Sequence, residues 1–195
     1  DAPTTLIVDD SLGYPAKVRF PFGYGGNQNA TIVVSGEGAE FVHRYHNRTY
    51  SGGIIGPVLV TSNGTYRSYA SYGHQIGARY RNGYMAVEEG GRFYTHGDFV
   101  VGPYWGVGEV TLRKGGEWTA DSYVFVGYSP YLSGIVVDHS EFVGTSMELG
   151  RSSYEANGAS RGFLTITNQS TASFSLFLLI NKGNKSGSIS TLDLH

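Results

Sequence analysis

Few residues of this chain stand at the spacings that chemistry requires. Gly158-Ala159-Ser160-Arg161-Gly162 matches the nucleophile-elbow pattern, which would make Ser160 an attacking hydroxyl on a strand-to-helix turn. The adjoining segment Phe163-Leu164-Thr165-Ile166-Thr167 reads as a strand, so the match is credited to a chain rich in Gly and Ser. His43 and His46 lie three residues apart, which on a strand points the two rings to opposite faces; a shared zinc would need a bulge. His96-Gly97-Asp98 and Asp138-His139 set imidazoles beside carboxylates, an arrangement typical of surface hydrogen bonds. Asp9-Asp10 and Glu88-Glu89 are adjacent acids, whereas glycoside hydrolysis needs two carboxylates facing across a cleft, about 5 Å or more apart. Loop Asp, Asn and carbonyl oxygens would suit calcium better than zinc, yet no EF-hand spacing is present. The reading is therefore of a non-enzymatic chain with no catalytic residue and no metal motif.

Aromatic residues supply the second kind of chemistry. They make up 14% of the chain, with 15 Tyr. Tyr66, Tyr69, Tyr72, Tyr80 and Tyr84 crowd one region, and Tyr94, Tyr104, Trp105, Trp118, Tyr123, Tyr128 and Tyr131 the next. An exposed Tyr or Trp face with Asn, Arg or Asp beside it would stack on a sugar ring, and Trp105, Trp118 and Tyr104 are the candidates for that role. The competing expectation is that Tyr fills half-buried strands and interfaces, with the ring packed and the hydroxyl wet.

Asn29, Asn47, Asn63, Asn168 and Asn184 each head an Asn-x-Ser/Thr acceptor pattern, five of the nine Asn. That number, and an initial "DAPTT" resembling a mature end left by signal cleavage, predict a secreted or cell-surface glycoprotein. Cysteine is absent, so disulfides and thiol chemistry are excluded. Charged residues amount to 15%, against roughly a quarter in ordinary soluble domains, and the net charge is −2 without any block of like charge. A nucleic-acid footprint or a polybasic membrane patch is not expected. The longest apolar run, Leu176–Ile180, is strand-length and far short of the roughly 20 residues of a spanning helix.

These residues must be positioned by strands. Period-two alternation recurs in KVRFPF, ATIVVS, EFVHRY, IIGPVLVT, TYRSYASY, GYMAVE, RFYTH, GEVTLR, SYVFVGY, GIVVD, GFLTIT, SFSLFLLIN and SISTLDL. Gly, Asn and Ser punctuate them at intervals of roughly 8 to 14 residues, the pattern of an all-β sandwich or barrel. Asn-Gly at 63–64 and 82–83 predicts two type I′ hairpins, Val58–Ser71 and Ala78–Val87. The expected fold is a single antiparallel β-sandwich, jelly-roll or pilin-like, over residues 16–195, preceded by a strand and tether over 1–15. RYHNRTYSGGIIGP and RFYTHGDFVVGP share an outline too loose to establish a repeat.

The opening segment carries the functional expectation. Thr4, Thr5, Leu6, Ile7 and Val8 form a short strand followed by an acidic, turn-rich break from Asp9 to Pro15. Such a strand can complete the sheet of a neighbouring subunit, with Leu6 and Val8 on one face and Ile7 on the other. Head-to-tail repetition of that contact gives a filament. The scheme resembles that of donor-strand pilins and secreted biofilm fibres, and the resemblance is architectural. The leading expectation is a structural, self-associating subunit of an extracellular filament, pilus-like or of a biofilm, serving adhesion. A secreted carbohydrate-binding module or lectin is the alternative, and a viral jelly-roll coat or adhesin protein the third.

Overall fold

The computed structural model describes residues 4–14, 16–20, 30–45, 53–54, 56–70, 74–78, 80–103, 105–150, 159–180 and 188–195. In chain order the strands are β1 (Thr4–Val8), β2 (Lys17–Phe20), β3 (Ala30–Ser35), β4 (Glu40–Tyr45), β5 (Pro57–Thr61) and β6 (Thr65–Ala70). There follow β7 (His74–Ile76), β8 (Gly83–Glu88), β9 (Arg92–His96), β10 (Phe99–Val101), β11 (Gly108–Arg113) and β12 (Glu117–Val126). The chain continues through β13 (Ser133–Asp138), β14 (Glu141–Leu149), β15 (Arg161–Thr167), β16 (Thr171–Ile180) and β17 (Ile189–Leu194). Among the described residues there is no helix, and none long and apolar enough to cross a membrane.

The pairing overturns the expected sandwich. Among the described residues every strand–strand ladder is parallel. One sheet, here A, runs β1-β3-β5-β8-β11-β13-β15-β17; the other, B, runs β2-β4-β6-β9-β12-β14-β16, with β7 and β10 extending it beside β12. The chain winds as a β-solenoid of about six turns, each strand lying on the equivalent strand one turn earlier. Val8, Val34, Val60, Val87, Leu112, Val137, Ile166 and Leu194 form one continuous column of sheet A. Successive members are 25 to 29 residues apart, for example Val87↔Leu112 and Val137↔Ile166.

Neither predicted hairpin forms. Ser62 and Asn63 do take the left-handed conformation, with φ of 49° and 63°, that a type I′ turn demands. The strands on either side then part company: β5 pairs with β3 and β8, and β6 with β4 and β9. The turn passes the chain from sheet A to sheet B instead of folding it back. At 78–81 a single antiparallel bridge, Ala78↔Arg81, makes a tight corner, and β8 leaves it to join sheet A. Corners stack on corners, which explains the glycines. A Cβ on Gly116 would lie 2.1 Å from the carbonyl oxygen of Val87 in the preceding turn, a contact no other residue can make.

The core of sheet B is an aromatic stack. Phe41, Tyr66, Phe93, Trp118 and Phe142 occupy one inward column, their successive ring centroids 4.9–5.7 Å apart. Each such contact contributes about 0.5–1.5 kcal/mol beyond the area it buries.

The opening segment also finds its place. β1 pairs in parallel with β3 of its own chain, Leu6↔Ile32 and Val8↔Val34, and so forms the first rung of sheet A. Val8 is buried and Leu6 packs on the core, while Ile7 is 60% exposed on the outer face. With two parallel sheets in place of the expected antiparallel sandwich, the opening strand pairs within its own chain.

Candidate ligand-binding face on sheet B

Strands β6, β9 and β12 alternate between two ladders of functional side chains, one pointing into the core and one out. The inner ladder is polar and runs beside the aromatic column. His43, Ser68 and Thr95 are consecutive partners in one column, and His74 of β7 closes on them from the side. His43 Nδ1 lies 3.2 Å from the Tyr66 hydroxyl, and the Ser68 hydroxyl shares a short hydrogen bond with His74 Nδ1. The indole N–H of Trp118 donates to Thr95 Oγ1 at 3.1 Å. The two imidazoles meet edge to face, 4.4 Å between centroids. Burial pushes the His43 pKa down to about 4; His74 is lowered well below its ordinary value by burial and then by His43. Tyr66 is raised by its burial. Ser68 beside a histidine has the residue types of a nucleophile and its base, but both are sealed from solvent, so these groups hold the rungs in register and neutral.

The outer ladder is reachable. Arg67, Tyr94 and Thr119 are successive register partners on the outer face, and Arg44, Tyr69 and His96 form the next column. Arg67 lies over the Tyr94 ring, its guanidinium carbon 4.4 Å from the centroid, while its Nε donates to Glu40 Oε1 at 2.6 Å. Arg44 lies over Tyr69 at 5.6 Å, and Tyr69 leans on His96 at 5.8 Å. β12 loses its register with β14 between Ala120 and Tyr123, and this irregularity presents Asp121 to the face. Asp121 Oδ2 bonds His96 Nδ1, and Oδ1 accepts the Gly97 backbone N–H at 3.0 Å. Together Arg67, Tyr69, Tyr94, His96, Thr119 and Asp121 line an open depression of about 280 Å³.

The residues singled out from sequence are scattered by comparison. Trp118 is fully buried in the aromatic stack, so it has no face to offer a sugar. Trp105 lies half-buried at a distant corner, near parallel to the exposed ring of Tyr80 at 6.4 Å; Tyr104 lies outside the described residues. Asn63 and Asn168 sit exposed on corners, and Asn29, Asn47 and Asn184 lie outside the described residues. Ser160 is buried and donates to the Gly150 carbonyl at 2.6 Å, which removes it as a nucleophile. Glu88 and Glu89 engage Arg113 and Lys114, not a common substrate. Asp138 accepts from the Asn168 amide at 2.7 Å; that bond first, then His139 and Thr167, holds its carboxyl below the usual range. Among the described residues no three His, Cys, Asp or Glu gather as a metal site, and His46 lies outside them.

The outer ladder escapes sequence reasoning because its members are far apart in the chain. Proximity matches His96 with Asp98, two residues away, when its partner in the fold is Asp121, one turn further on, 121 − 96 = 25 residues. No protein-family model, no characterised protein and no solved structure matches the chain.

Proposed function

We propose that the chain is a structural, self-associating element of an extracellular surface assembly, built by stacking turn upon turn. The observation that carries this reading is the last described rung. β16 and β17 continue the inward columns of both sheets, yet their core residues Phe174, Leu178 and Leu192 are only partly covered. Leu176 is 68% exposed and Leu194 64%, with Ile180 and Ile189 near half. A parallel edge strand whose apolar columns are part-exposed in this way is a template for one more rung. The first rung of a second copy fits: β1 has the same direction in sheet A and the same alternation, so Leu6 and Val8 would extend the columns that reach Leu192 and Leu194. Such a contact is head-to-tail and does not close, which yields a fibre. Here the opening strand serves without leaving its own subunit. The sequons on exposed corners and the low charge support an extracellular, glycosylated setting.

Sedimentation velocity and electron microscopy across micromolar to millimolar concentrations test it. The expected result is a linear series of oligomers that Leu192→Asp abolishes while the monomer keeps its far-ultraviolet spectrum. A chain that stays monomeric throughout, or whose assemblies tolerate a charge at Leu192, refutes the stacking.

A further inference from the structure

We infer that the outer face of sheet B around Arg67, Tyr94 and Asp121 is a binding site for a neutral glycan. The inference is independent of stacking, since it concerns the flank of the solenoid and not its ends.

Three observations select this ligand class. First, the depression joins the two elements of sugar recognition: aromatic rings that can cover the C–H face of a pyranose, and planar polar groups at their rim. Tyr69 and Tyr94, each with one face under an arginine, supply their remaining ring surface; Thr119, Asp121 and the Arg67 guanidinium supply donors and acceptors for vicinal hydroxyls. Second, the rim is held before any ligand arrives. Arg67 is fixed by Glu40 and by the Tyr94 face, and Asp121 by His96 and the Gly97 amide, so little side-chain freedom is lost on binding. Third, the ionic side chains that line the depression are engaged: Glu40 answers Arg67 and His96 bonds Asp121, so an acidic saccharide would meet the Asp121 carboxylate and an Arg67 guanidinium already in use. A neutral sugar hydroxyl can donate to Asp121 and accept from Arg67 at once. The rows also repeat with the rungs, about 4.8 Å apart, so the face runs along the solenoid and favours an extended chain over a single sugar.

Saturation-transfer NMR on the intact chain tests this with glucan, xylan, mannan and galactan hexasaccharides, and with a galacturonan hexasaccharide as the acidic comparison. Transfer from Tyr ring protons to at least one neutral chain is expected, with Tyr69→Ala and Asp121→Asn each weakening it about tenfold or more. Both side chains are substantially exposed, so their removal should leave the fold intact, as circular dichroism would verify. Trp105→Ala should change nothing. The proposal falls if no neutral chain gives transfer at millimolar concentration, if galacturonan binds more tightly, or if folded Tyr69→Ala and Asp121→Asn bind as the parent does. It falls equally if Trp105→Ala abolishes binding, because the site would then lie at the Trp105–Tyr80 corner.

Discussion

Acidification should unfold this protein from the inside, and the histidine pair sets where. In the folded state His43 titrates at about 4, against 6.5 for an ordinary imidazole, because burial disfavours its charged form. His74 is displaced in the same direction, by burial and by His43. Phe41, Tyr66, Ser68 and Phe99 are among the groups that face them, and none of these four carries a negative charge at these pH values. A depressed folded pKa means that the unfolded chain binds the proton first. The stability from neutral histidine is thus complete above pH 6.5 and lost as pH falls through the window from 6.5 to about 4. For His43 alone the displacement, 6.5 − 4 = 2.5 units at 1.36 kcal/mol each, amounts to about 3 kcal/mol by pH 4. His74 adds to it with the same sign. Against a typical total of about 5–15 kcal/mol this is a large fraction. Urea titrations followed by the fluorescence of Trp118, which is buried in the same core, should show the midpoint dropping steadily between pH 6.5 and 4. His43→Gln should flatten a large part of that drop while lowering stability at neutral pH. A midpoint constant over that window, or a slope that survives both His43→Gln and His74→Gln, would refute the assignment.

The packing sets two more expected outcomes. Trp118→Ala removes the centre of the aromatic stack and leaves the Thr95 hydroxyl without its indole donor; a loss of about 3–5 kcal/mol is expected, read by thermal or urea denaturation. Asn168→Ala removes the strongest of the hydrogen bonds that depress Asp138, so an NMR titration should find that carboxyl moved up toward its ordinary value.

How much of this was legible in the sequence depends on which physical rule is asked. Alternation is a local property, and it located the strands well: Ala30–Ser35, Glu40–Tyr45, Gly83–Glu88, Arg92–His96 and Gly108–Arg113 coincide with the segments ATIVVS, EFVHRY, GYMAVE, RFYTH and GEVTLR. Pairing is not local. The left-handed residues Ser62 and Asn63 are demanded equally by a hairpin and by a solenoid corner, so turn chemistry cannot distinguish them. The discriminating signal was a period. An inward Val or Leu of sheet A is followed five to seven residues later by an aromatic of sheet B in Val34…Phe41, Val60…Tyr66, Val87…Phe93, Leu112…Trp118 and Val137…Phe142. Variable corners such as Ser35–Ala39 and His139–Ser140, and steps between turns of 25 to 29 residues, blur it below the eye's threshold.

The same period ties the candidate site to the core beneath it. Arg67, Ser68 and Tyr69 on β6, and Tyr94, Thr95 and His96 on β9, alternate out, in, out, so a slip of one residue between these strands would bring Arg67 and Tyr69 inward and put Ser68 on the surface. An entirely apolar column tolerates such a slip better than a polar one, because Val or Leu packs on any similar neighbour. The Ser68–His74 and Thr95–Trp118 hydrogen bonds are specific to one register and are lost in the next, at the cost of breaking buried polar contacts. The polar ladder costs stability in acid, and what it secures is the alignment that lays Arg67 on Tyr94 and sets His96 against Asp121. The proposed binding face of β6, β9 and β12 and the acid-sensitive histidines of β4 and β7 are thus tied together by one set of buried hydrogen bonds.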